Sequence, residues 1–314
     1  MAMQSTLRAT AVKDRIRHFA PTGNVRSMVL MVFAMGVFVL NDTLTKTVST
    51  NLETGQIITI RGAISTALIL PIVLYVTSFR TIVTHYSWPL AIRNVAEMGA
   101  VIIFLSALFR LPIANVTAIL QILPLAMTAA AALVLKEQVG WRRWTAATVG
   151  LLGVLFIIRP GSTEFSWWYI LVLFSVVLIT ARDLATRFIS KDVPTAMVTF
   201  LTAACVTVAG LLLGAFETWP MPGWWDIARL TMAAVLVLIG YASLIEAWRS
   251  GEISATAPFR YSVVLWAILF GYLLLGEVPS VWTLFGSAIV IGAGLYTLYR
   301  ERIALQRSKN AQNA

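Results

Sequence analysis

The stretch LNDTLTK (Leu40–Lys46) places Asn41, Asp42 and Lys46 inside a segment that is otherwise apolar. The stretch ARDLATR (Ala181–Arg187) carries the same Asp-x-x-Thr-Lys/Arg pattern 141 positions further along the chain. Ionisable side chains within a membrane are costly, and where they occur they usually mark the path of an ion or a substrate. The two stretches therefore predict two related segments that lie in a membrane and have a functional role.

The composition of the whole chain is that of an integral membrane protein. Its 314 residues are 59% hydrophobic and only 12% charged, and its mean hydropathy is +0.82. Apolar runs of about twenty residues, the length that crosses the hydrocarbon layer as a helix, alternate with short polar or Pro/Gly-rich breaks. We predict an all-α fold with ten transmembrane helices, at residues 27–48, 57–78, 88–108, 113–135, 141–158, 167–189, 195–216, 228–248, 253–275 and 281–299.

The positive charges predict how the chain is oriented. The formal net charge of +10 would suit a nucleic-acid partner, but most basic residues lie at predicted helix ends and in the two tails. This is the distribution expected when cytoplasmic loops carry the excess of Lys and Arg. We therefore predict a multi-pass protein of the bacterial inner (cytoplasmic) membrane, with both termini in the cytoplasm, the lipid bilayer as partner and no nucleic-acid partner. The basic cytoplasmic tails are predicted at residues 1–26 and 300–314.

The repeat of the Asp-x-x-Thr-Lys/Arg motif is accompanied by a second pair of matching residues at nearly the same separation. Asp42 and Asp183 are 141 positions apart, and Glu137 and Glu277 are 140 apart. Five predicted spans separate the matched positions, and because five is odd the two halves must insert with opposite orientations. Such inverted repeats allow one half to rock against the other, which opens a central cavity to each side of the membrane in turn. We predict two inverted five-helix repeats, over residues 27–158 and 167–299.

Two long segments resemble one known family. They are IANVTAILQILPLAMTAAAALVLKEQVGWRRWTAATVGLLGVLFIIRPG and EISATAPFRYSVVLWAILFGYLLLGEVPSVWTLFGSAIVIGAGLYTLY, and each contains a closing glutamate, Glu137 or Glu277. They resemble the hallmark of the EamA family in the drug/metabolite transporter superfamily. The resemblance implies ten helices in two inverted halves, around a cavity lined largely by the first, third, fourth, sixth, eighth and ninth helices. It also implies transport of a small organic molecule such as an amino acid, a nucleotide-like metabolite or riboflavin, inward or outward.

The third predicted helix carries three candidate substrate-binding residues. Arg93 and Glu97 are four positions apart, so they share a helix face and could neutralise each other. One interpretation is that this pair is buried at a contact between helices. The other is that the pair, together with Asn94, lines the cavity and offers hydrogen bonds to a polar ligand. The sequence favours neither.

The second half provides further candidates for substrate binding. Arg260 begins the ninth predicted helix, Tyr261 follows it, and Trp266 lies further along the same helix, while Gln121 occupies the corresponding place in the first half. A cation, an amide and aromatic rings would suit a planar polar or anionic metabolite. The alternative for Arg260 is that its side chain extends to the cytoplasmic headgroups. Tyr241, on the eighth predicted helix, completes the set.

The repeated motif supplies four candidates for a gate or for ion coupling, namely Asp42, Lys46, Asp183 and Arg187. A symmetric acid–base turn near a helix end could hold one side of the cavity closed. Direct contact with the ligand and plain structural pairing are the alternatives. If transport is coupled to protons, Asp42 is the expected proton site, because a buried carboxylate can gain and lose a proton during the cycle.

Motifs for enzymatic chemistry are missing from the sequence. It contains no G-x-x-x-x-G-K-S/T loop, no H-E-x-x-H pair and no nucleophile elbow, and it has one cysteine and two histidines. We therefore predict no enzymatic activity, no catalytic residue, no cofactor and no metal site. The energy for transport would come from ion or solute gradients.

These observations predict a secondary transporter that moves a small organic metabolite by alternating access. Riboflavin uptake is the specific hypothesis, taken mainly from the family resemblance. The first alternative is an exporter of amino acids or toxic metabolites, and a membrane enzyme or receptor-like scaffold is a more distant one. The small-residue run Gly286–Gly294 could support either a homodimer or, as we favour, packing within one chain.

Overall fold

The structure is a computed structural model, and it describes residues 21–76, 87–134, 136, 141–163, 165–186, 188–190, 193–250 and 256–312. Over these residues the chain forms α-helices joined by short connections, with no strand, which confirms the predicted all-α class. The helices are α1 (Pro21–Val48), α2 (Thr54–Val76), α3 (Trp88–Leu108), α4 (Ile113–Leu120), α5 (Leu123–Val134), α6 (Trp141–Ile158), α7 (Trp168–Thr186), α8 (Thr195–Gly214), α9 (Trp224–Ser250), α10 (Ser262–Leu275) and α11 (Val281–Gln312).

The helices have the length and apolarity that membrane spans require. Within the described residues, nine segments are long and apolar enough to cross a membrane, with α4 and α5 counted as one segment and the 3-10 turn and α10 as another. Residues 144–158 of α6 form a shorter apolar helix where the remaining span was expected. The molecule is therefore a helical membrane protein, and its described residues form nine to ten apolar segments. The arrangement as two inverted repeats stays a prediction.

A break divides the fourth predicted span into α4 and α5. Pro124 has no N–H for the carbonyl of Leu120, and its ring would crowd that carbonyl in a continuous helix. The N–H groups of Gln121 and Ile122 instead bond three residues back, to Ala118 and Ile119 at 3.2 and 3.1 Å. In the other half, a 3-10 turn at residues 257–261 precedes α10. Interrupted helices of this kind often line substrate sites in transporters.

Helices from the two parts of the chain pack against each other throughout. The strongest contacts join α1 to α9, α2 to α8, α3 to α7, and α6 to α11. Helix α10 also packs on α1 and α4, and α5 and α4 pack on α7. Every one of these contacts joins a helix that ends by residue 158 to a helix that starts after residue 167, so the two parts form one body.

Glycine allows the closest of these approaches. A Cβ atom built on Gly286 of α11 would lie 2.5 Å from the carbonyl oxygen of Gly153 on α6, so the two backbones are in direct contact. A Cβ atom on Gly294 would overlap the hydroxyl of Tyr261. Both ends of the small-residue run are therefore occupied by packing within the chain. A homodimer stays a prediction.

Candidate functional site

A cavity of about 460 Å³ lies between α2, α3, α8 and α9, and it extends to the C-terminal end of α7. This volume falls in the range of small-molecule sites. Its wall residues extend from the middle of α2 and α3, at Arg61 and Val101, to Thr186 at the C-terminal end of α7 and the connection that follows. The cavity therefore reaches the end of the helix bundle opposite Lys46. Polar groups and apolar side chains both line it, among them Arg61, Ser65, Arg93, Glu97, Val101, Thr186, Thr202, Val206, Leu238 and Tyr241.

Arg93 contacts hydroxyl groups in this cavity. Its Nε donates to Thr186 Oγ1 at 3.1 Å, and its Nη1 donates to Thr202 Oγ1. Among the described residues no carboxylate oxygen lies within 4 Å of its guanidinium, so its charge has no ion-pair partner there. Asn94, beside it, is buried: its Oδ1 accepts from Thr202 at 3.4 Å, and its Nδ2 makes no hydrogen bond.

Glu97 binds a different arginine from the one that its spacing suggests. Its Oε2 accepts from Arg182 Nη1 at 2.7 Å, and Arg182 Nε donates to Asp183 Oδ1, also at 2.7 Å. Arg182 lies on α7, so this cluster ties α7 to α3. Asp183, one of the two acidic members of the predicted gate, is thus held next to the candidate site by its neighbour in the sequence, Arg182.

Arg61 is the second cation on the cavity wall. Its Nη1 donates to Asn41 Oδ1 at 3.5 Å, at the long end of the hydrogen-bond range, and Asn41 Nδ2 donates to Asp42 Oδ1 at 2.9 Å. The amide of Asn41 therefore connects the guanidinium to the carboxylate of Asp42 without a direct ion pair. Tyr241 lines the same cavity and meets the ring of Phe38 edge to face, with centroids 5.2 Å apart.

Five of the eight predicted substrate-binding residues are absent from the lining of the cavity formed by the described residues, and Asn94, which is buried beside Arg93, is one of them. Gln121 Nε2 donates to the carbonyl of Thr117 within its own span. Trp266 Nε1 donates to the carbonyl of Val32 on α1, and its ring stacks on Phe270. Arg260 is exposed, and the hydroxyl of Tyr261 is buried against α11 with no hydrogen-bond partner.

An ion pair joins three parts of the chain on the opposite side of the molecule. Lys46 Nζ lies 2.5 Å from Glu277 Oε1 and also donates to the carbonyl of Leu111. Glu277 Oε2 accepts from the backbone N–H of Ile113 at 2.6 Å. We call this group, which is Lys46, Glu277 and the backbone of Leu111 and Ile113, the latch.

Local backbone geometry places Glu277 in the latch. Helix α10 ends at Leu275, and Gly276 has φ +67°, a left-handed conformation that glycine adopts at little cost. The chain therefore turns sharply, and Glu277 comes to face the loop between α3 and α4. Two further members of the repeated motifs, Arg187 and Glu137, lie outside the described residues.

Some residues of the site were not chosen from the sequence. Arg61 and Arg182 were visible as charges inside predicted spans, but nothing in the pattern showed which acid each would contact. Thr186 belongs to the repeated motif, and its hydroxyl accepts from Arg93. Thr202 gave no signal at all, because a lone threonine in an apolar helix usually bonds back to its own helix, as Thr202 also does.

Comparison with known proteins places the chain in a family. The model of the EamA-like transporter family matches residues 25–159 and again residues 166–299. The chain belongs to the EamA-like transporter family. The predicted family is thereby confirmed, and the molecule is a membrane transporter of small molecules; the family and the names of its relatives point to a transporter rather than an enzyme.

The relatives of the chain are named as transporters of different molecules. The chain is 24% identical over 273 residues to an S-adenosylmethionine uptake transporter of Rickettsia felis, a match that covers 87% of this chain and 92% of the relative. It is 26% identical over 220 residues to a riboflavin transporter of Rhizobium johnstonii, covering 69% and 72%. It is 25% identical over 285 residues to a pseudopaline exporter of Pseudomonas aeruginosa, covering 90% and 96%.

Proposed function

We propose that the protein is a secondary transporter that carries a small organic metabolite across the bacterial inner membrane by alternating access. The observation that carries this proposal is the asymmetry between the two sides of the molecule. One side holds a cavity lined by Arg61, Arg93 and Glu97, and on the other the ion pair of Lys46 and Glu277 joins three parts of the chain. A carrier that opens to one side at a time must have this form in one of its states.

The packing of the helices supports a two-fold relation between the halves. In the proposed repeat, α1 is equivalent to α7, α2 to α8, α3 to α9, α4 and α5 together to α10, and α6 to α11. Exchange of each helix for its equivalent turns the contact of α1 with α9 into that of α7 with α3. It turns the contact of α1 with α10 into that of α7 with α4 and α5. The pairs α2–α8 and α6–α11 map onto themselves. All of these pairs are in contact. Together with the two family matches, this supports two inverted five-helix repeats, over residues 27–158 and 167–299.

The distribution of basic residues supports an orientation with both termini in the cytoplasm. Residues 1–26 and 300–314 are then cytoplasmic, although α11 continues as a helix to Gln312. In this orientation the cavity faces the cytoplasm and the latch faces the periplasm. The structure is then the inward-facing state of the carrier.

The substrate hypotheses follow the names of the relatives. Riboflavin uptake is the specific hypothesis from the sequence, and a relative named as a riboflavin transporter supports it. S-adenosylmethionine is a second candidate substrate. Export of a metabolite is the alternative function, supported by the relative named as a pseudopaline exporter.

Growth of an auxotroph tests the riboflavin hypothesis. A bacterium that neither makes riboflavin nor imports it is expected to grow on limiting riboflavin when it expresses this protein, and not with the empty vector. Uptake of labelled S-adenosylmethionine and amino acids by the same cells tests the wider proposal. Resistance to a toxic amino-acid analogue without any uptake would favour export, and failure of every assay in both directions would contradict transport of riboflavin, S-adenosylmethionine and amino acids.

A further inference from the structure

The arginines and carboxylates around the cavity do not form one-to-one ion pairs. The carboxylate on the wall, Glu97, is bound by Arg182, and Arg182 also holds Asp183. Asp42 accepts from the amide of Asn41, which stands between Asp42 and Arg61. Arg182 is therefore the shared ion-pair partner of Glu97 and Asp183, and Asp42 is hydrogen-bonded to an amide; none of these three carboxylates lies within 4 Å of the guanidinium of Arg93.

Arg93 is left with hydroxyl partners. Thr186 and Thr202 accept from its Nε and Nη1, and its Nη2 makes no hydrogen bond to the described part of the chain. A threonine oxygen solvates a guanidinium but does not neutralise it. An arginine within a membrane protein normally has an anionic partner or faces a water-filled path, because burial of its charge is costly.

The fixed geometry of Arg93 suits a carboxylate ligand. A guanidinium presents its donors in a rigid plane that matches the two oxygens of a carboxylate, and two threonines from α7 and α8 hold this one in place. Arg61 on α2 contributes a second positive charge to the same cavity. Val101, Val206 and Leu238 supply an apolar wall for the rest of a ligand.

We infer that the cavity takes substrates that carry a carboxylate, such as amino acids and their conjugates, and that Arg93 binds that group with Arg61 as a supporting charge. This inference rests on the proposed function and narrows its substrate class. It favours a molecule of the S-adenosylmethionine type over neutral riboflavin. The carboxylate of the substrate would replace the ion-pair partner that Arg93 lacks among the described residues.

Equilibrium binding to the purified full chain in detergent tests this inference separately from transport. The probes are S-adenosylmethionine, decarboxylated S-adenosylmethionine, which lacks only the carboxylate, and riboflavin. The wild-type chain is expected to bind the carboxylate form about 30-fold or more tightly than the decarboxylated form. Arg93→Gln is expected to lose most of this ratio, whereas Arg93→Lys keeps part of it.

Arg229→Gln is the matched control, because Arg229 lies on α9 outside the cavity and its side chain is 43% exposed. This variant is expected to keep the wild-type ratio. Equal binding of the two S-adenosylmethionine forms, binding of riboflavin alone, or an unchanged ratio in Arg93→Gln would overturn the inference. If Arg93→Gln does not fold, the affinities of the wild-type chain for the two S-adenosylmethionine forms still test whether the cavity selects a carboxylate. Binding without transport would contradict the proposed function instead.

Discussion

Arg182 controls which charges of the cavity remain available to a ligand. Glu97 lies four residues after Arg93 on α3, a spacing that allows the two side chains to meet. In the structure, Arg182 from α7 takes Glu97 at 2.7 Å, and Arg93 turns to the hydroxyls of Thr186 and Thr202. The spacing in the sequence showed that Arg93 and Glu97 share a face. It could not show the choice of partner, because that choice depends on an arginine from another helix.

Removal of Arg182 should therefore change the function of Arg93. In Arg182→Gln, the carboxylate of Glu97 loses its partner, and we expect Arg93 to turn toward it. The variant should lose less stability than the ~3–5 kcal/mol that a buried charge left alone would cost, because Arg93 becomes the new partner of Glu97, and it should bind carboxylate ligands more weakly. Thermal unfolding and equilibrium binding of S-adenosylmethionine measure the two effects.

The double variant Arg182→Gln/Glu97→Gln is the matched test of this explanation. It removes the charges of Arg182 and Glu97 together and leaves Asp183, whose side chain is 42% exposed, to water, so Arg93 should again be available to the ligand. We expect the double variant to bind S-adenosylmethionine more tightly than the single Arg182→Gln variant. A double variant that binds as weakly as the single one would show that Arg182 acts in some other way.

The helices illustrate how far the sequence predicts an element of this fold. Apolar runs of about twenty residues identified the spans because the bilayer sets the length of a crossing helix. They did not predict where a helix ends outside the bilayer: α11 runs to Gln312, past the predicted end at residue 299, because its last turns consist largely of good helix formers. The break after Leu120 was also not predicted, although Pro124 is its visible cause.

Backbone contact between α6 and α11 gives a prediction for these two helices. Gly286→Ala would place a Cβ atom 2.5 Å from the carbonyl oxygen of Gly153, so the helices must separate. We expect a loss of about 1–3 kcal/mol of stability, as for other overpacked sites. Gly292→Ala is the matched control on the same helix, because among the described residues no atom outside its own turns of α11 lies within 4 Å of the added methyl group. Thermal unfolding in detergent compares them, and equal melting temperatures would contradict the close approach.

At the scale of the whole molecule, the cavity and the latch lie on opposite sides, and the proposed mechanism couples them. The proposed repeat makes Arg187 and Glu137 the equivalents of Lys46 and Glu277. Both lie outside the described residues, so their meeting is a prediction of the repeat. If the halves exchange their packing, the pair Lys46–Glu277 must part when the cavity closes. Two alternating ion pairs would then keep both sides from opening at once.

A reversible cross-link across the latch tests this exchange. Cys205 is the sole cysteine, so Cys205→Ser gives a background into which Lys46→Cys and Glu277→Cys can be placed together. A bifunctional methanethiosulfonate reagent, which forms a disulfide with each of the two thiols and releases methanesulfinate, should then hold the latch side closed. We expect transport to stop and to return when a reductant removes the linker, because the substrate can no longer leave or enter on that side.

Ligand binding separates a locked carrier from a damaged one. The cavity lies on the other side of the molecule, so the cross-linked chain should still bind its ligand from that side with nearly unchanged affinity. Each single-cysteine variant treated with the same reagent controls for modification alone. Transport at the full rate by the cross-linked chain would mean that Lys46 and Glu277 stay together throughout the cycle. The latch would then be a fixed structural contact, and the path would have to open elsewhere.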